Sequence, residues 1–143
     1  MPQMLRGFLS VLLGLVLGSV VNMALIQAGG QLIAPPPGAD VTTMEGLKAS
    51  MHLFGPQNFL FPFLAHALGT LVGAAAATLA AGRASNTPAY AVGGLFLLGG
   101  IANVVLLPAP LWFSALDLLL AYLPAAWLGQ ALARRTAWGR RTG

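Results

Sequence analysis

Residues 110–133 read PLWFSALDLLLAYLPAAWLGQALA. At 1.5 Å per residue a helix of that length spans roughly 36 Å, enough to cross a bilayer. It opens with a proline and an aromatic pair, and it holds one acid, Asp117. No other formally charged side chain lies in the interior of the chain's four long apolar segments. A carboxylate in hydrocarbon is costly, so Asp117 has to be neutral, paired, or turned to a polar interior. Asn22, His66 and Asn103, one on each of the other three segments, are the available partners.

The rest of the chain agrees with a lipid setting. Of its 143 residues 57% are hydrophobic and only 7% charged, and mean hydropathy is +0.80. Soluble domains carry about a quarter charged residues, so this composition belongs to a membrane protein. There are no cysteines, which removes disulfides, thiolate metal sites and thiol nucleophiles. Net charge is +4, but Arg134, Arg135, Arg140 and Arg141 follow directly on the apolar run above. Basic groups there contact anionic lipid headgroups and fix topology. No aromatic-interleaved basic surface accompanies them, so nucleic acid is not an expected partner.

The first segment runs from about Leu5 to Ile33 and continues well beyond the apolar length of a secretory signal, so it reads as a retained span. Gly14, Gly18 and Asn22 fall four apart on one helical face. The second segment, 57–81, carries a similar stripe: His66, Gly69, Thr70 and Gly73. The third, 88–107, contains the pairs Gly93-Gly94 and Gly99-Gly100 before Asn103. Small residues at such spacing let helices approach closely, and four short helices carry more of these stripes than one copy is expected to bury. The fourth is 110–133, in which Pro124 predicts a kink near Ala121. The expected fold is therefore all-α: four transmembrane helices in one bundle, with residues 134–143 as a basic tail.

The connection 34–56 starts with Pro35-Pro36-Pro37, which cannot continue a helix. Thr42 and Glu45 have the spacing of a capping box. Met44, Leu47, Met51 and Phe54 then recur at helical intervals, predicting a short interfacial helix. It reads either as a lid over the polar residues or as a packed cap. Arg6, Arg83 and the tail arginines share one side if four spans alternate, which predicts both termini in the cytoplasm. Trp112 and Phe113 then fall at the outer interface and Trp138 at the inner one. Counting rise along each helix puts Asn103, Asp117, His66 and Asn22 at about 6, 10, 14 and 15 Å from the outer surface. All four belong to the outer half.

One histidine, one carboxylate and two amides lack the ligand set of a known metal site, so neither metal nor cofactor is expected. Ser114, one turn before Asp117, and Thr70, one turn after His66, do not by themselves form a nucleophile–base pair, and no enzyme motif is present. Buried Asn, His and Asp also serve as plain interhelical hydrogen-bond partners, which is the simplest reading of Asn22 and Asn103. Tyr122 and Trp127 read as packing and interface residues.

The stretches FLAHALGTLVGA and GGLFLLGGIANVVLLPAPLWFSALDLLLAYLPAAWLG, with the triple proline before them, resemble an uncharacterised family of short four-span bacterial inner-membrane proteins. That resemblance implies a location and no activity. The expected role is a non-enzymatic accessory, assembly or scaffold subunit, packing against itself or a larger membrane complex. The alternative is a small transporter or proton-coupled carrier using Asp117 and His66.

Overall fold

The computed structural model describes residues 1–82 and 85–138, with only the backbone of residues 137 and 138. Arg83, Arg140, Arg141 and the Trp138 side chain lie outside the described residues. The fold is all-helical: α1 (Gln3–Leu32), α2 (Met44–Ser50), α3 (Leu60–Ala81), α4 (Thr87–Leu106), α5 (Leu111–Leu120) and α6 (Leu123–Trp138). Short 3-10 turns at Met51–Leu53 and Pro56–Phe59 lead from α2 into α3. Four helical stretches are long and apolar enough to cross a membrane: Gln3–Leu32, Pro56–Ala81, Thr87–Leu106 and Leu111–Thr136. Phe8, Val16, Leu98 and Leu119 are among many large apolar side chains that face outward. Such a surface suits hydrocarbon and would be untenable in water. The chain is a multi-pass membrane protein.

α3 stands at the centre, packed against α1, α4 and α6. Its buried residues are Ala65, Gly69, Thr70, Gly73, Ala74, Ala77 and Thr78, all alanine, glycine or threonine. The crossing with α1 depends on four glycines. A β-carbon on Gly14 would stand 2.5 Å from the Gly73 carbonyl oxygen, and one on Gly18 would stand 2.6 Å from that of Gly69. The relation is reciprocal, since a β-carbon on Gly73 would meet the Gly14 carbonyl at 2.6 Å. Elsewhere Gly93 faces Ala126, and Gly129 rests against the backbone of Leu71. The α1 and α3 stripes are thus occupied within one copy of the chain, while Gly94 and Gly99 of α4 have nothing within 4 Å of a would-be β-carbon.

The fourth span is interrupted. α5 ends at Leu120, Ala121 and Tyr122 form a turn, and α6 begins at Leu123. Pro124 supplies no N–H to the carbonyl of Leu120, four residues earlier, and its ring crowds that position.

Arginines gather at one end of the bundle. The Arg6 Nε donates to the Ala80 carbonyl at 3.0 Å, joining the start of α1 to the end of α3. Gly82 closes α3 with φ +95°, a left-handed cap that favours glycine. Arg134 is not simply directed at headgroups, as its place after an apolar run suggested. Its Nη2 donates to Asn86 Oδ1 at 2.6 Å, and Gln130 Nε2 donates to the same oxygen at 3.1 Å. α6 is thereby tied to the α3–α4 turn. Arg135 is exposed.

The opposite end is roofed by residues 34–59. Thr43, not Thr42, caps α2, its hydroxyl accepting from Gly46 N at 3.0 Å. Thr42 instead donates its hydroxyl and its backbone N–H to Asp40 Oδ1, at 2.6 and 2.9 Å. These two bonds, the hydroxyl's first, hold the Asp40 carboxyl below its ordinary pKa. Met51, Phe59 and Phe113 form a small core here, with Leu47, Phe54, Phe63 and Leu107 packed on it. Phe59 meets the Phe113 ring at 4.6 Å and the Trp112 ring edge-on at 5.7 Å. The connection is a packed cap seated on the starts of α3 and α5, and Met44 points away from it, exposed.

Candidate functional site

Between the roof and the tightly packed arginine end, α1 and α4 part in front of α3. Gly18 of α1 lies against the ring of Phe96 on α4. Beyond it lies a cavity of about 250 Å³, whose wall includes Asn22, His66, Thr70, Phe96, Asn103 and Tyr122. A second cavity of about 260 Å³ sits under the roof, lined mainly by apolar groups such as Ile26, Ile33, Phe54 and Phe61. It holds no acid, base or histidine, so the chemistry belongs to the first.

His66 lies on the face of α3 that looks across to α5. Its Nδ1 is 2.9 Å from Asp117 Oδ1 and 3.0 Å from Oδ2. Asp117 is 3% exposed, behind the imidazole, while the His66 side chain is 17% exposed at the cavity. The Tyr122 hydroxyl donates to Asp117 Oδ2 at 3.1 Å, and the Tyr122 ring stacks on His66 with centroids 5.7 Å apart and planes at 26°. His66, Asp117 and Tyr122 therefore form one hydrogen-bonded unit, with His66 and Tyr122 at the cavity wall and Asp117 behind them. Tyr122, expected to be a packing residue, is the third member.

The break in the fourth span makes that possible. In an uninterrupted helix residues five apart differ by about 140° around the axis, and Tyr122 could not face what Asp117 faces. The turn at Ala121–Tyr122 relaxes this, and a tyrosine's tendency to lean toward its helix N-terminus brings the hydroxyl back to the carboxylate. α4 makes room: a β-carbon on Gly100 would stand 2.5 Å from the Tyr122 oxygen and 2.6 Å from its ring. Gly99, expected to pack, has nothing within 4 Å of its would-be β-carbon and opens onto the cavity instead. A sequence signal for Tyr122 did exist, an Asp–Tyr spacing of five with a proline just beyond.

The amides behave differently from the expectation of one shared cluster. Asn22 and Asn103 line the cavity with His66, but among the described residues neither carboxamide makes a side-chain hydrogen bond. They are neither partners of Asp117 nor ties between helices. His66 Nε2 likewise has no hydrogen-bond partner there, and it is not among the sealed, unpartnered atoms. Three polar groups with unused bonding capacity thus share one cavity wall.

Nucleophilic chemistry finds no support in the geometry. The Thr70 hydroxyl donates to the His66 carbonyl at 2.7 Å and is spent on its own helix. Ser114, buried, makes no side-chain bond to His66. Among the described residues no three His, Asp or Glu side chains come together as a metal-binding group. What the unit can do is hold and release a proton. Asp117 fixes a hydrogen on Nδ1 when the imidazole is neutral, which leaves Nε2 as a lone-pair acceptor at the cavity.

No known family model, curated protein or solved structure matches this chain. Its function therefore has to be argued from the site.

Proposed function

We propose that the protein is a small proton-coupled carrier, in which His66, Asp117 and Tyr122 hold a proton beside a solute-binding cavity. The observation that supports it most is the His66–Asp117 pair: its bonded nitrogen faces inward and its free nitrogen faces a cavity with two uncommitted amides. An intramembrane acid is expensive, and a purely structural role would not require a titratable partner aimed at open space. On the arginine side α1, α3 and α4 meet closely at Gly14, Gly73 and Val92, which supports a cavity closed in that direction, as one state of an alternating-access cycle would be. The subunit reading loses part of its support, because the glycine stripes of α1 and α3 are already filled within the chain.

The carrier reading predicts that Asp117→Asn, nearly isosteric, folds like the wild type and loses proton-linked activity. The assay is reconstitution in liposomes with an internal pH dye, followed by addition of small amines, alcohols or carboxylates to the outside. Wild-type pH transients that vanish in the variant support the reading. Equal transients in both would sink it, and cross-linking to a reproducible partner without any transient would favour the subunit.

We place the protein in a bacterial inner membrane with both ends of the chain in the cytoplasm and the basic tail, Arg135 included, at headgroup depth. The asymmetry of the arginines supports this. In the cysteine-free chain, Ser85→Cys and Ala39→Cys are expected to react with an impermeant thiol reagent from opposite sides, Ala39→Cys from outside. Labelling of both from outside would overturn the topology.

A further inference from the structure

We infer that the cavity takes a small organic cation, an ammonium carrying an aromatic or compact alkyl group, in exchange for the proton of the His66–Asp117 pair. This rests on the carrier reading and adds the substrate class.

Charge is the first argument. α1 brings Gly18 and Asn22 to the wall, α3 brings Ala65, His66, Gly69 and Thr70, and α4 brings Phe96, Gly99, Gly100 and Asn103. The titratable groups facing the cavity are His66 and Tyr122, with Asp117 behind them. No other acid or base on α3 or α4 comes near. Arg6 on α1 is sixteen residues, about 24 Å, from Asn22, and it is engaged at Ala80. Arg134 and Arg135 belong to the same far end, and Asp40, Glu45, Lys48 and His52 of the roof are not in the wall. Among the described residues an anionic solute would find no fixed cation at the cavity. A cationic one would find a pair that becomes negative when it gives up a proton.

Bonding capacity is the second. With a hydrogen on Nδ1 shared with Asp117, Nε2 offers a lone pair, and Asn22 and Asn103 each offer a carbonyl oxygen. Three acceptors around one space match the three N–H groups of a primary ammonium. Phe96 and Tyr122 supply ring surface, which attracts a cation through the π face. Volume is consistent: about 150 Å³ holds benzene, so about 250 Å³ takes a ring with a short ammonium arm.

The exchange balances. Loaded with its proton, the pair is neutral, as a carboxylic acid with imidazole or a carboxylate with imidazolium. When that proton leaves for water, carboxylate and neutral imidazole remain, at −1. An entering ammonium at +1 donates an N–H to Nε2 and restores neutrality, with no covalent change in the solute. Because an uncompensated charge in this low-dielectric space is costly, proton release and cation entry are linked.

The test uses the full chain in detergent and three probes of one shape and different charge: phenethylammonium, 2-phenylethanol and phenylacetate. Calorimetric titrations in two buffers of different ionisation enthalpy count protons. The expected result is binding of phenethylammonium with about one proton released, and affinity rising by up to about tenfold per pH unit while the pair is protonated. Both other probes should bind at least about tenfold more weakly, one factor of ten being about 1.4 kcal/mol. Asn103→Val alters a side chain with no bond to the protein, so it keeps the fold and should weaken phenethylammonium several-fold. Asp117→Asn should abolish the proton release. Equal or tighter binding of 2-phenylethanol or phenylacetate, lost in Asn103→Val, would overturn the cation assignment and leave a carrier for another solute. If no probe responds to pH or to either substitution, the carrier reading falls as well.

Discussion

Gly73→Leu is expected to damage the α1–α3 crossing severely, with Gly18→Leu close behind. At Gly73 the first added carbon already overlaps the Gly14 carbonyl at 2.6 Å and crowds Val92 at 3.1 Å. At Gly18 it overlaps the Gly69 carbonyl at 2.6 Å and the Phe96 ring at 2.8 Å. Backbone on the opposing helix cannot rotate aside, so α1 and α3 have to separate. Overpacking costs about 1–3 kcal/mol where side chains can adjust and more where they cannot, so about 3 kcal/mol or more is expected here. Val16→Leu is the control, since Val16 faces outward and its replacement should be neutral. Thermal unfolding in a mild detergent separates the cases. A Gly73→Leu melting temperature equal to wild type would mean that the glycine crossing does not hold the helices together.

Asp117→Leu should destabilise almost as much, for a different reason. Leucine leaves the Tyr122 hydroxyl and His66 Nδ1 without their common acceptor in a nearly sealed position. An orphaned buried polar group costs about 1–3 kcal/mol, and His66 can recover part of its loss by turning to the cavity. A total of about 2–4 kcal/mol is therefore expected. Asp117→Asn keeps a carbonyl acceptor and should lose well under half of that. The pair of variants distinguishes shape and hydrogen bonding from proton exchange: stability falls with leucine, proton-linked activity with either. A Tyr122→Phe background makes the assignment sharper. If Tyr122 bonds Asp117 as described, the leucine and phenylalanine changes are non-additive in their effect on melting; strict additivity would show that the bond contributes nothing.

Much of the architecture was legible because it rests on properties that run along the chain. Apolar length gives four spans, the scarcity of charge gives the solvent, and Pro124 marks a break within one residue of its place. The arginines segregate because alternating helices return every second connection to the same end. Asp117 could be singled out since hydrocarbon penalises a carboxylate wherever the helix carries it. The apolar spacing over Met44–Phe54 foretold a short helix, although its cap proved to be Thr43, and adjacent threonines cannot be ranked without knowing where Asp40 goes.

What tertiary structure decided is how each helix is rotated and which neighbour it meets. Gly99 and Gly100 are adjacent and chemically identical, yet one opens a cavity and the other accommodates the Tyr122 ring. The glycine stripes could have served a partner chain, but α1 and α3 use them on each other. Arg134 could have stayed among headgroups, but Asn86 of the distant α3–α4 turn accepts its hydrogen bond. Asn22 and Asn103 belong to the same half of the bundle as His66 and line the same cavity, yet neither bonds to it. A sequence fixes depth through rise per residue, while the azimuth of a side chain depends on crossing angles and kinks set by contacts far apart in the chain. The spans and the costly acid followed from the first of these, and the Tyr122–Asp117–His66 unit and its cavity from the second.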